Sequence, residues 1–182
     1  SPNFMEIHRM SSFNKRGTDI DVVLDLMIHD IDLVLYLKKQ RLKKVSATGI
    51  SVLTHSIDLA NVRLEFEDSS VANITASRIS DSPMRKIRLF EEKLYTSLDL
   101  QNQKITQYII LKKIKTSSHN ILFDNKNNII SKEIVRVPKK NALREELVAF
   151  VRSIQNNQKC LVGADAGKRA LQTALLIQQK IN

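Results

Sequence analysis

Residues 21–37 read DVVLDLMIHDIDLVLYL, and this stretch decides how the rest of the chain is understood. Asp21, Asp25, His29, Asp32 and Tyr36 recur at steps of four, four, three and four. At roughly 3.6 residues per turn that spacing places all five on one stripe of a helix. Every other position except Asp30 is apolar. A surface helix carries a broad polar face and a narrower apolar one, so a narrow ionisable stripe on an apolar cylinder predicts a buried helix facing a polar cleft. The pattern equally fits a core helix whose stripe makes only structural hydrogen bonds and caps.

Working outward, Phe4–Met10 before the stretch alternates as a strand does. The loop SSFNKRGTD follows, with Gly17 as its breaker and Thr18 or Asp19 available to cap the helix. Lys15 and Arg16 stand just ahead of the helix, where free backbone amides favour an anionic ligand; an exposed basic loop is the plainer reading. After the helix comes LKKQRLKK, cations that complement a helix C-terminus.

From Val45 the period turns strand-like for nearly 90 residues. Val45–Leu53, then Ala60, Val62, Leu64 and Phe66, then Ala72, Ile74 and Ala76 after Asp68-Ser69-Ser70 read as a hairpin series, continued by Ile87 and Leu89, by Leu94–Leu100 and by Ile105–Leu111. Short turns between consecutive strands predict antiparallel pairing. Residues 112–132, rich in Lys, Ser and Asn, fit either an edge hairpin or a disordered excursion. Pro138 and Asn141 signal a helix whose apolar face is Leu143, Leu147, Phe150, Val151 and Ile154. Asp165 then caps a last helix that buries Ala170, Leu171, Ala174, Leu175 and Ile181. The expectation is one α+β domain over residues 1–182, a large, mostly antiparallel open sheet with helices packed on one face.

Composition narrows the function classes. The 182 residues are 42% hydrophobic and 26% charged, an ordinary globular balance. No run approaches the roughly 18 apolar residues of a membrane span, so no membrane partner is expected, and the start shows no signal peptide. One cysteine, Cys160, makes no internal disulfide or zinc site, which points to a cytoplasmic setting. Four separated histidines give no metal motif. The net charge of +10 and pI near 9.8 suit an anionic partner, but the charge is dispersed rather than striped, and nucleic acid is not expected. With four glycines and no G-x-G-x-x-G, the chain holds no dinucleotide-binding turn.

What chemistry remains lies in Asp25 and His29, adjacent on one helix face. A histidine so placed can take a proton from a substrate hydroxyl, with the carboxylate orienting the ring and stabilising the charge that forms.

The D-x-x-x-H helix in DVVLDLMIHDIDLVLYL, together with the ending NALREELVAFVRSIQNNQKCLVGADAGKRALQTALLIQQKIN, resembles the Gfo/Idh/MocA family of glucose-fructose oxidoreductase and inositol dehydrogenase relatives. MEIHR followed by DIDVVLDLMIHDIDLVL is similar to members that oxidise a ring hydroxyl of a nucleotide sugar. The resemblance implies a C-terminal substrate-binding and dimerisation domain, preceded in the complete enzyme by a Rossmann domain that binds NAD or NADP. That Rossmann domain and its E-K-P lysine have no counterpart here, since Glu92-Lys93 is followed by Leu94. It further implies Asp25 and His29 as the catalytic pair. Arg9, Lys15, Arg16, Asp32 and Tyr36 are expected to contact a sugar or nucleotide-sugar substrate. A homodimer through the exposed sheet face and no NAD(P) binding by this chain alone are also expected. The rival expectation is a non-catalytic fragment or split-gene product that keeps the fold as an interaction domain.

Overall fold

Alternation in Phe4–Met10 (β1) buries Met5, Ile7 and Arg9 and turns Phe4, Glu6, His8 and Met10 the other way. In the computed structural model, which describes residues 1–15, 17–112, 121–124 and 128–181, this first strand lies at the middle of the sheet. A π-helical turn, Val23–Met27, runs directly into α1 (Ile28–Leu37). There follow β2 (Leu42–Ile50), β3 (Leu59–Phe66), β4 (Val71–Ser77), β5 (Met84–Phe90), β6 (Leu94–Asp99), β7 (Lys104–Lys112), β8 (Ile121–Asp124) and β9 (Asn128–Val135). Two helices close the chain, α2 (Ala142–Gln155) and α3 (Ala164–Ile181).

The nine described strands form one sheet in the order β2-β3-β4-β1-β5-β6-β7-β9-β8. β1 is parallel to β4, with Ile7 opposite Ile74, and antiparallel to β5, with Ile7 opposite Ile87. The remaining pairings are antiparallel. β1 therefore joins two meanders into one mixed sheet. Residues 112–132 include an edge hairpin, β8 against β9, while 113–120 and 125–127 lie outside the described residues.

α1 and α3 cover one face. Val22, Val23, Met27, Ile31 and Val34 meet Met5, Ile7, Val62, Leu64 and Ile74, and Ala170, Ala174 and Ile177 of α3 join the same core. Burying such side chains stabilises by roughly 1.5–3 kcal/mol each. α3 comes so close to β2 that a Cβ on Gly49 would lie 2.7 Å from Ile181 Cγ2 and 2.9 Å from Ile57 Cγ2.

Polar locks fix this layer. Arg9 forks onto Asp30, Nε to Oδ2 at 2.6 Å and Nη2 to Oδ1 at 2.8 Å. Lys38, at the end of α1, is buried and donates to Asp68 Oδ2 (2.6 Å), Pro2 O (3.2 Å) and Ser1 Oγ (3.2 Å), filling all three ammonium donors. Its hydrogen bond, with that of Ser70, holds the Asp68 carboxyl at about 2. Burial alone would raise the Asp58 carboxyl, but backbone N–H groups of Val52, Leu53 and Thr54 and the Thr54 hydroxyl donate to it and bring it down to about 2. Arg78 lies beside it and donates to the carbonyls of Gly17 and Ile20, tying the loop before α1 to the end of β4.

Several expectations are corrected here. The helix cap is Asp21, not Thr18 or Asp19: its carboxylate accepts from the Val23 and Leu24 amides at 2.9 and 3.1 Å and from the Gln178 side chain of α3. α3 starts at Ala164, so Asp165 sits within its first turn. Its buried side is Ala170, Thr173, Ala174 and Ile177, with Leu171 and Leu175 outside. Leu143, Leu147, Phe150, Val151 and Ile154 of α2 are all exposed. Amphipathic periodicity gave the right helix, but among the described residues no element covers its apolar face.

The opposite sheet face carries a ladder of rings across three neighbouring strand pairs. Phe4 and Phe90 stand 5.6 Å apart, Phe90 and Tyr95 stack at 4.8 Å, and Tyr95 and Tyr108 at 5.1 Å. Lys132 Nζ lies 5.8 Å from the Tyr108 ring centre, and Arg88 pairs with Glu6 at 2.7 Å.

Candidate active site

The π-turn supplies the first departure from a regular stripe. The Ile28 amide bonds to Val23 O, five residues back, which widens the helix where Asp25 sits; single π-turns of this kind are frequent at functional sites. Asp25 and His29 are both exposed on the outer edge of the helix, and Asp32 is half-buried. The helix is buried on its other sides by Val23, Met27, Asp30, Ile31 and Val34. Of the stripe, His29 and Asp32 reach an open cleft that Asp25 does not line, and no side-chain hydrogen bond joins Asp25 to His29.

His29 and Asp32 line a cleft of about 730 Å³ whose other wall is α2 and the loop after it. α2 begins at an Asn141 cap that accepts from the Arg144 amide at 3.1 Å. Glu145 and Glu146 fall in the first turns, where the helix dipole favours carboxylates. Two residues past the end of α2, Asn157 has a positive φ of 51° that suits asparagine, and the Gln158 amide returns to Ser153 O at 2.8 Å. After that reversal Cys160, Leu161 and Val162 line the same cleft as His29, with Cys160 Sγ 3.1 Å from Ser153 Oγ. The cleft therefore combines His29, three carboxylates (Asp32, Glu145 and Glu146), a thiol and the apolar surface of Leu147, Phe150, Leu161 and Val162. Such a lining can hydrogen-bond several hydroxyls and accept a proton, and it disfavours an anion.

The other expected residues are dispersed. Arg9 is paired with Asp30 inside the helix–sheet layer and does not line the His29 cleft. Lys15 lines a separate groove with Phe13, Thr18, Leu53 and His55. Tyr36 lies at the far end of α1. Arg16 lies outside the described residues. Glu145, Glu146, Phe150 and Cys160 were not anticipated from sequence, since they enter from more than a hundred residues downstream of His29 and no local motif marks them.

A mixed nine-stranded sheet backed on one face by α1 and α3, with His29 and Asp32 in an open cleft and Asp25 outside its lining, is an open-sheet α+β domain. The profile of the GFO/IDH/MocA C-terminal domain matches residues 3–93, and the chain belongs to this family. It is 30% identical over 98% of its length to UDP-N-acetylglucosamine 3-dehydrogenase of Acidithiobacillus ferrooxidans, of which it covers 54%. The solved structure of that enzyme, GnnA, superposes with a TM-score of 0.86 over 100% of this chain and 55% of its own. Scyllo-inositol dehydrogenase from Lactobacillus casei, solved with NAD(H) and scyllo-inositol, shares the fold at 17% identity with a TM-score of 0.64, over 100% of this chain and 54% of its own. The chain spans about half the length of the relatives it matches. No described helix is long and apolar enough to cross a membrane.

Proposed function

We propose that this chain is the substrate-binding and dimerisation part of an NAD(P)-dependent oxidoreductase that acts on a ring hydroxyl of a nucleotide sugar. The observation that carries the reading is the placement of His29 and Asp32 together in the cleft beside α2, on the D-x-x-x-H helix of a chain 30% identical to a UDP-N-acetylglucosamine 3-dehydrogenase. In this reading His29 accepts the hydroxyl proton and Asp32 hydrogen-bonds a neighbouring hydroxyl. Asp25, one turn away, stabilises the imidazolium electrostatically as it forms.

The residues present do not fit a dinucleotide. The one glycine between β1 and α1 is Gly17, in the twelve-residue segment 11–22, whose sequence lacks the tight glycine-rich turn that admits a pyrophosphate. In this reading the nicotinamide that would accept the hydride is held by residues other than these. The exposed apolar faces of α2 and of Leu171 and Leu175 on α3 support a neighbour on the helical side.

The ringed sheet face supports a homodimer through that surface, since aromatic side chains dominate interface energetics. Light scattering of the chain at micromolar concentration should give a dimer, and Tyr108→Glu a monomer.

The test of the catalytic reading uses the full-length protein that contains this chain. UDP-N-acetylglucosamine oxidation should be followed through formation of reduced nicotinamide. His29→Ala should lower turnover by roughly 10²–10⁴-fold, with the melting temperature almost unchanged because His29 is exposed. Turnover near wild type in that variant would remove His29 from the reaction.

A further inference from the structure

A second cleft, of about 810 Å³, opens between the C-terminal end of α1 and α3. Its lining includes Tyr36, Lys39, Gln40, Arg41, Arg169 and Gln172, and no carboxylate. Lys39, Arg41 and Arg169 are exposed, and none is held in an ion pair among the described residues. Lys38, the fourth cation there, is already neutralised by Asp68. The dipole at a helix C-terminus disfavours an anion, but two cations just past the last turn and a third from α3 reverse the local sign. The His29 cleft has the opposite character, with Asp32, Glu145 and Glu146 and no cation in its lining.

We infer that the α1–α3 cleft binds the diphosphate of a nucleoside-diphosphate ligand, with the Tyr36 ring against the base. This rests on the nucleotide-sugar reading above and locates the nucleotide half of that substrate. The two clefts lie along one face of one helix. Tyr36 follows His29 by seven residues, two turns, or about 10 Å along the axis, a separation that a diphosphate bridge between a sugar ring and a nucleoside can cover. The acidic cleft repels phosphate and offers hydroxyl acceptors. The basic cleft offers guanidinium forks, the groups best matched to phosphate oxygens, and an exposed aromatic ring.

The same chemistry could serve the diphosphate of a dinucleotide cofactor, so the experiment carries both probes. The 182-residue chain is titrated calorimetrically at low salt with uridine diphosphate and, separately, with NADH. Uridine diphosphate should bind and NADH should bind more weakly. Arg41→Gln combined with Arg169→Gln should weaken uridine diphosphate at least tenfold at an unchanged melting temperature, Tyr36→Ala should also weaken it, and Lys180→Gln at the far end of α3 should not. Failure of uridine diphosphate to bind at millimolar concentration, equal binding by the double variant, or tighter binding of NADH overturns the inference. In the full-length protein, an unchanged KM for the nucleotide sugar in the double variant would overturn this location alone. Absence of nucleotide-sugar oxidation by the wild type would instead overturn the proposed function.

Discussion

Arg9 of β1 and Asp30 of α1 face each other as parallel prongs, Nε–Oδ2 at 2.6 Å and Nη2–Oδ1 at 2.8 Å, with the Asp30 side chain 2% exposed. The pair fixes the rotation of α1 about its axis, because Asp30 adjoins His29 and points inward while His29 points out. Removing one partner of a buried pair leaves the other uncompensated. Arg9→Ala is therefore expected to cost about 3–5 kcal/mol in urea unfolding, whereas Arg9→Met with Asp30→Leu should be close to neutral. A loss under about 1 kcal/mol in the single variant would show that water reaches the pair.

Asp58→Ala removes the acceptor of three backbone amides and a hydroxyl at once and leaves Arg78 without its carboxylate neighbour. Unsatisfied buried groups cost roughly 1–3 kcal/mol each, so destabilisation of about 3 kcal/mol or more is expected. Hydrogen exchange should quicken at Val52, Leu53 and Thr54; unchanged protection there would contradict the role of Asp58 as the loop's anchor.

Acid should weaken the fold through the same groups. Asp58 and Asp68 sit at about 2 in the folded chain against an ordinary 3.8. A lowered folded value gives stability that is present above the unfolded value and lost as pH falls through the folded one. The urea midpoint should hold from neutral pH to about pH 4 and decline toward about pH 2. Asp68→Asn should flatten part of that decline, and an unaltered slope would show that Lys38 does not discriminate between its charged and neutral forms.

Gly49→Ala tests the approach of α3 to β2. The added methyl would sit within 3 Å of Ile181 and Ile57, both branched and held in packing. A loss of about 1–3 kcal/mol is expected from overpacking. A neutral result would mean that the end of α3 can shift without cost.

Much of this architecture was legible because it is written in local period. The alternation of Ala60 to Phe66 and Ala72 to Ala76 gave β3 and β4, and Asn141 gave the start of α2. The stripe on residues 21–37 found His29 and Asp32, which line one cleft. What local period does not encode is partnership. β1 lies beside β4 because the core is filled that way, not because their sequences adjoin. Lys38 looks like any cation in LKKQRLKK until Asp68 and the chain's first residues close over it. Arg9 looked available for substrate because its carboxylate is 21 residues away. The apolar face of α2 was read as buried because periodicity reports that a face needs a cover, without saying which chain segment provides it.

The central position of β1 has a kinetic consequence. The strand made first pairs with residues 71–77 and 84–90, so it waits with both hydrogen-bonding edges open while its neighbours are still being made. Each meander can zip locally, but joining them requires closing a loop from Ile7 to Ile74, an entropic cost of about 4 kcal/mol before any long-range contact repays it. Folding should accordingly be slow, in the range of milliseconds to seconds typical of non-local sheets. A rearranged variant in which β1 is moved from its place to lie between β4 and β5 in the chain would shorten that search and is expected to fold faster.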